Sequence, residues 1–197
     1  MSTTTKGSPA VSATAGRVIA ADDSQSKVLP GKGARITLAI ARLSVGFIFL
    51  WAFLDKCFGL GFSTASEKAW IRGGTPAQGF LGHLDEAKPF TGLFSSIASP
   101  AADWLFMLGM LGVGLAVMLG IGTRVAAVSG SLIMFLMWLA EFPPIAGAEA
   151  GTNPLVDYHW AYALVLILVA LLYGGDTWGL GKWWKSLSIV QKNRWLI

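Results

Sequence analysis

Apolar residues gather into four blocks along the chain, separated by polar or glycine-rich breaks. The two central blocks lie almost end to end. Residues 104–120 are apolar or glycine throughout, Ile121, Gly122, Thr123 and Arg124 interrupt, and residues 125–140 are apolar again apart from Ser129, Gly130 and Ser131. At about 1.5 Å per residue each block reaches across a bilayer core. Joined by so short a break, the pair predicts an antiparallel transmembrane hairpin. The first block, residues 36–58, is broken by Arg42, Ser44 and the Asp55–Lys56 pair, and the last covers residues 158–173. The prediction is an all-α membrane protein: an antiparallel bundle of four transmembrane helices, with spans at 36–58, 103–121, 125–141 and 158–173.

The polar stretches complete this picture. Residues 1–34 carry Ser, Thr, Ala and Gly without period, which predicts a disordered tail. Residues 35–182 form the membrane domain, and 183–197 read as a basic tail. The long loop at 59–102 predicts short interfacial helices. One runs over Ser66 to Arg72 and stops at Gly73–Gly74, and one opens at Thr75–Pro76. An amphipathic stretch follows over residues 88–97.

Composition strengthens the membrane reading. Only 13% of the 197 residues are charged and mean hydropathy is +0.59, whereas a soluble domain carries about twice that charge. The net charge of +4 does not indicate nucleic acid. Its basic residues flank the spans: Lys27, Lys32 and Arg35 before the first, Arg124 in the central turn, and Lys182, Lys185, Lys192 and Arg194 at the end. By the positive-inside rule both termini and the Arg124 turn are cytoplasmic, and the 59–102 and 142–157 loops lie outside. The chain is then a multi-pass protein of the cytoplasmic membrane. The single cysteine, Cys57, excludes an intrachain disulfide, a Cys-x-x-Cys pair and a cysteine-ligated iron–sulfur cluster from this chain alone.

Candidate chemistry collects where the spans end on the outer side: Asp55 and Lys56, Asp103, Glu141, and Asp157 with His159. In an antiparallel bundle these groups converge under the long loop. There they could exchange protons with a quinone headgroup or bind an anionic substrate, with Lys56, His159 and Asp55 as catalytic candidates. The plainer reading of each is a helix anchor facing water. Arg42 lies about two turns inside the first span, where a charge costs on the order of 3 kcal/mol or more. It must snorkel, pair or line a cavity. The last option makes Arg42, with Tyr162, a candidate for holding a quinone, although Tyr162 equally suits an aromatic girdle. Gly46, on the Arg42 face, and the Gly112–Ala116–Gly120 stripe predict close helix contacts, the stripe leaving a homodimer open. His83 and His159 lack a second histidine at helical spacing, and no P-loop or zinc motif is present. No haem, iron–sulfur or metal site is expected.

Three stretches resemble the DoxX/DoxD family. They are Arg42-Leu-Ser-Val-Gly-Phe-Ile-Phe-Leu-Trp-Ala-Phe-Leu-Asp-Lys, the Leu-Gly-Ile-Gly-Thr-Arg-Val-Ala-Ala run at 119–127, and Tyr-Gly-Gly-Asp-Thr-Trp-Gly-Leu at the end of the fourth span. The Glu-Lys-Ala-Trp-Ile-Arg-Gly-Gly-Thr-Pro loop is similar to the DoxD-like branch. The resemblance implies a four-helix membrane subunit of a redox system, in which thiosulfate is oxidised to tetrathionate and electrons pass to quinone with a small DoxA-like partner subunit. Arg42, Asp55, Lys56 and Arg124 match family motif positions, but the acid nearest the start of the second span, Asp103, sits further out than in many relatives. The competing expectation is a non-catalytic membrane anchor or assembly partner for a redox or oxidative-stress enzyme. A small-solute transporter has less behind it, because no repeat or broken helix is visible.

Overall fold

The computed structural model describes residues 24–142 and 155–197. Residues 1–23 of the predicted tail lie outside these, as does the 143–154 part of the third loop. Every regular element among the described residues is helical. α1 is Gln25–Val28, α2 Lys32–Phe58, α3 Pro76–Leu81, α4 Thr91–Ile97, α5 Pro100–Leu119, α6 Thr123–Glu141, α7 Tyr158–Leu171, α8 Gly181–Ser186 and α9 Ser188–Lys192. Short 3₁₀ turns punctuate the connections.

Three of these helices, α2, α5 and α6, are long and apolar enough to cross a membrane. α7 is as apolar but has 14 residues, about 21 Å of rise. α2 packs mainly on α5 and α6 mainly on α7, while α5–α6 and α2–α7 contacts close the ring. The core between them is Val45, Phe49, Met110, Val113, Val117, Ala126, Met134 and Leu166. The outward faces are also apolar, with Leu105 74%, Val128 73% and Leu171 65% exposed. A surface of that kind is suited to lipid contact and unsuited to water.

Helix contacts are set by glycines, though not all the predicted ones. A Cβ on Gly46 would sit 3.0 Å from the Met118 backbone nitrogen, so the α2–α5 approach there is as expected. On α5 the close contact is Gly114, whose Cβ would fall 2.7 Å from the Leu50 nitrogen, whereas Gly112 faces open space. Of the predicted Gly112–Ala116–Gly120 stripe, Gly112 makes no close contact, whereas a Cβ on Gly120 would fall 2.6 Å from Gly175 Cα and 3.3 Å from Arg42 Nη1. Spacing alone could not say which glycine faced α2.

Both polar ends are more ordered than their composition predicts. Gln25 is buried; its backbone nitrogen donates to Asp176 Oδ2 at 3.0 Å and its Oε1 accepts from Thr177 Oγ1 at 2.5 Å. Residues 24–34 are thus not a disordered tail, because polar contacts order them where no hydrophobic period could. The basic tail at 183–197 is likewise folded. Val190 and Ile197 are buried and Trp184 Nε1 donates to the Leu196 carbonyl at 2.8 Å.

The long loop is built rather than slack. The predicted helix over 66–72 is two 3₁₀ turns, Ser66–Lys68 and Trp70–Arg72, ended by Gly73 at φ +90°. Trp70 packs edge-on against Trp104 at 4.6 Å and Trp51 against Phe62 at 5.1 Å, which ties the two tryptophans inside the loop and first span to the same end of the bundle. Proline opens α3 as expected, but its amides are capped from α5. Asp103 accepts from the Ala77 nitrogen at 2.6 Å, the Gln78 nitrogen at 2.9 Å and Gln78 Nε2.

Candidate functional site

The site with the clearest chemistry lies between α6 and α7. On α6, Ser131, Phe135 and Trp138 recur at i, i+4 and i+7; on α7, His159, Ala163 and Ile167 recur at i, i+4 and i+8, so each set shares one helix face. Together with Met134, Trp160 and Leu164 they enclose a cavity of about 190 Å³. Its walls are almost wholly apolar and aromatic. Trp138 and Trp160 meet edge-on at 5.4 Å and Phe135 lies 5.9 Å from Trp138. Phe135, Leu164 and Ile167 are also exposed on the outer surface of the bundle, so the cavity opens sideways between the helices.

Two side-chain polar atoms in this wall are buried without a hydrogen-bond partner among the described residues: His159 Nε2 and Ser131 Oγ. His159 is only 1% exposed. Its position follows from the start of α7, where Asp157 is the N-cap. One Asp157 oxygen accepts from the His159 backbone nitrogen at 2.9 Å, and the other lies 2.9 Å from His159 Nδ1. With a carboxylate on Nδ1, the neutral ring carries its proton there and presents a bare lone pair at Nε2. A buried polar atom left unpaired costs about 1–3 kcal/mol, and a ligand oxygen or hydroxyl would relieve that cost. Protonated, the ring becomes an Nε2–H donor. The dyad can therefore accept from a hydroxyl or donate to a carbonyl at one spot.

Glu141 joins this corner, with donor atoms of Glu141, Asp157 and His159 all within 4.8 Å of one another. The set is chemically able to hold a metal ion, against the expectation from sequence. Both Asp157 oxygens are already taken by His159, however, so the arrangement reads first as a hydrogen-bonded acid–histidine pair with a second acid beside it.

The other predicted site residues lie elsewhere. Arg42 is fully buried and does not line the cavity. Its Nη1 donates to the carbonyls of Val117 at 2.6 Å and Met118 at 2.5 Å, and its Nη2 to those of Trp178 at 2.9 Å and Thr177 at 3.4 Å. It clasps the end of α5 to the turn after α7. Asp55 is buried and accepts from the Phe62 nitrogen, the Ser63 nitrogen and Ser63 Oγ at 3.1, 2.9 and 2.7 Å, which folds the chain back after α2. Lys56 lies beside Ser63 Oγ at 3.3 Å and faces a separate cleft under the long loop. Tyr162 packs on the core and lies 5.7 Å from the Tyr158 ring, outside the cavity lining. The predicted convergence of outer-end charges is thus partial: Glu141, Asp157 and His159 meet, while Asp55, Lys56 and Asp103 serve the loop.

Sequence reasoning found His159 and Asp157 but missed Ser131 and the aromatic wall. The available signal was a serine in an otherwise apolar helix, in register with Phe135 and Trp138. Comparison with known protein families, with curated proteins and with solved structures returned no match.

Proposed function

We propose that the chain is a membrane subunit of a redox system and that the cavity between α6 and α7 takes the headgroup of a quinone. The observation that carries this reading is the orphaned Nε2 of His159, held by Asp157 and buried in an aromatic cavity that opens sideways. A quinone headgroup is a flat ring bearing carbonyl oxygens on an apolar tail. Phe135, Trp138 and Trp160 offer faces for the ring, Leu164 and Ile167 a path for the tail, and His159 and Ser131 polar partners for the oxygens. The bundle has four membrane helices with α7 as the short fourth, both termini in the cytoplasm, and the cavity toward the outer side of the cytoplasmic membrane.

Reduction of a quinone to a quinol takes two electrons and two protons. His159 in its imidazolium form supplies a proton through Nε2 to a quinone oxygen, and Asp157 and Glu141, both partly exposed beside it, are the groups for its replacement. The electrons come from thiosulfate or a partner protein, as the DoxX/DoxD resemblance implies. In the thiosulfate case two ions join through a new S–S bond and release two electrons as tetrathionate. A small DoxA-like subunit is the implied partner.

The test is to extract lipids from detergent-purified protein, quantify quinone by mass spectrometry and assay thiosulfate-dependent quinone reduction on the same sample. Quinone should co-purify, and His159→Ala should retain about tenfold less, the equivalent of one hydrogen bond. Equal quinone content in both proteins would exclude this cavity as its site. Absence of quinone with a stably co-purifying protein would favour the non-catalytic anchor, a reading supported by the structural use of Arg42 and Asp55.

A further inference from the structure

A second opening lies under the long loop, away from the His159 cavity. It is a cleft of about 600 Å³ whose wall includes Lys56, Lys68, Arg72 and His83 with the hydroxyl residues Ser63, Thr64 and Thr75. The one carboxylate in its lining is Glu67. With His83 neutral the lining carries three cations against one anion, a net of +2. The nearby Asp55 is buried and held by Phe62 and Ser63, so it contributes field but no open acceptor.

The walls are set before any ligand arrives. Asp55 pins Ser63, Asp103 pins the start of α3, and the intervening turn is tight: Gly74 donates to the Ala69 carbonyl at 3.0 Å, and a Cβ on Gly74 would fall 2.0 Å from the Lys68 oxygen. Ala69 is fully buried. Arg72 uses Nη1 on Ser66, with Oγ at 2.7 Å, while its other guanidinium nitrogens donate to nothing among the described residues. Lys68 is exposed, and its ammonium donates to nothing among the described residues. Preorganised cations around hydroxyl groups select an oxyanion, and a guanidinium with free donors suits phosphate geometry. Phe80 lines the cleft, and Phe62 and Ile71, next in sequence to Ser63 and Arg72, are 77% and 62% exposed.

We infer that this cleft binds a phosphate-type oxyanion through Lys56, Lys68 and Arg72, with Phe80 in its wall and the exposed Phe62 and Ile71 favouring a phosphate carried by an anionic phospholipid over a free ion. The inference is independent of the quinone reading. Its test uses the full-length protein in detergent. One arm is native mass spectrometry with phosphatidylglycerol against phosphatidylcholine, and the other is calorimetric titration with inorganic phosphate. Selective retention of phosphatidylglycerol identifies the lipid source, and phosphate binding without lipid selectivity identifies the free ion. In either case Lys68→Glu should weaken binding about tenfold or more, because it reverses a charge at the site, and the effect should shrink at high salt. Lys182→Glu, outside the cleft, should leave binding unchanged. Lys68→Ala, with an unaltered Trp70–Trp104 near-UV signal, provides a fold-neutral second variant. Failure of both ligands to bind, or equal binding by the unmodified protein and both Lys68 variants, would overturn the inference.

Discussion

Arg42 shows how a buried charge can be structural. Its guanidinium meets carbonyls at the end of α5, where a helix leaves its last acceptors unpaired, and others in the turn after α7. The approach depends on glycine: a Cβ on Gly175 would lie 2.1 Å from the Gly120 oxygen, and one on Gly179 2.6 Å from the Gly175 oxygen. Hydrogen bonds to a charged group contribute about 1.5–3 kcal/mol each, although the Val117 carbonyl also accepts from the Gly120 nitrogen at 3.2 Å. Arg42→Ala should therefore destabilise the protein by at least about 3 kcal/mol, read as a lowered unfolding midpoint in detergent. Arg42→Lys should recover only part, since an ammonium lacks the planar fork that spans two sets of carbonyls. Recovery of full stability by lysine would refute the clasp.

Between helices, α2 and α5 meet through two glycines, Gly46 and Gly114. Gly114→Ala places a methyl against the Leu50 backbone and forces the pair apart, an overpacking cost of about 1–3 kcal/mol. Gly112→Ala, two residues away on the same helix, meets nothing within 4 Å and gains helix propensity of up to about 1 kcal/mol. Thermal unfolding of the two variants should thus move in opposite directions from the unmodified protein. Equal destabilisation would mean that α5 is rotated from the position described. The same α5 carries Asp103, which caps α3, so the helix that sets the core also fixes one wall of the outer cleft.

Across the whole molecule the basic segments gather at one end. Arg124 donates to the Arg194 carbonyl at 3.1 Å, and Gln25 meets Asp176. The opposite end holds the long loop, with Lys88 Nζ on the Glu141 carbonyl at 2.9 Å. If the basic end is cytoplasmic, the loop faces outward. In a Cys57→Ser background, Glu67→Cys should label with an impermeant thiol reagent in intact cells, and Ser186→Cys only after permeabilisation. The reverse pattern would invert the topology and place the His159 cavity toward the cytoplasm.

The sequence by itself determined the long apolar helices, because apolar length and the breaks at Gly59, Gly120–Gly122 and the Asp157 N-cap are local properties of the chain. It also carried the segregation of basic and mixed-charge ends, and it put Asp157 and His159 together at the start of the fourth span. The tertiary structure alone decided which polar group meets which. Arg42 finds carbonyls 75 residues or more away, Asp103 finds α3, and Ser131 joins His159 across two helices. A periodic pattern says that a residue is buried, but not against what; that depends on the rotation of each helix about its axis, which close contacts such as Gly114 on Leu50 impose only once the bundle is packed.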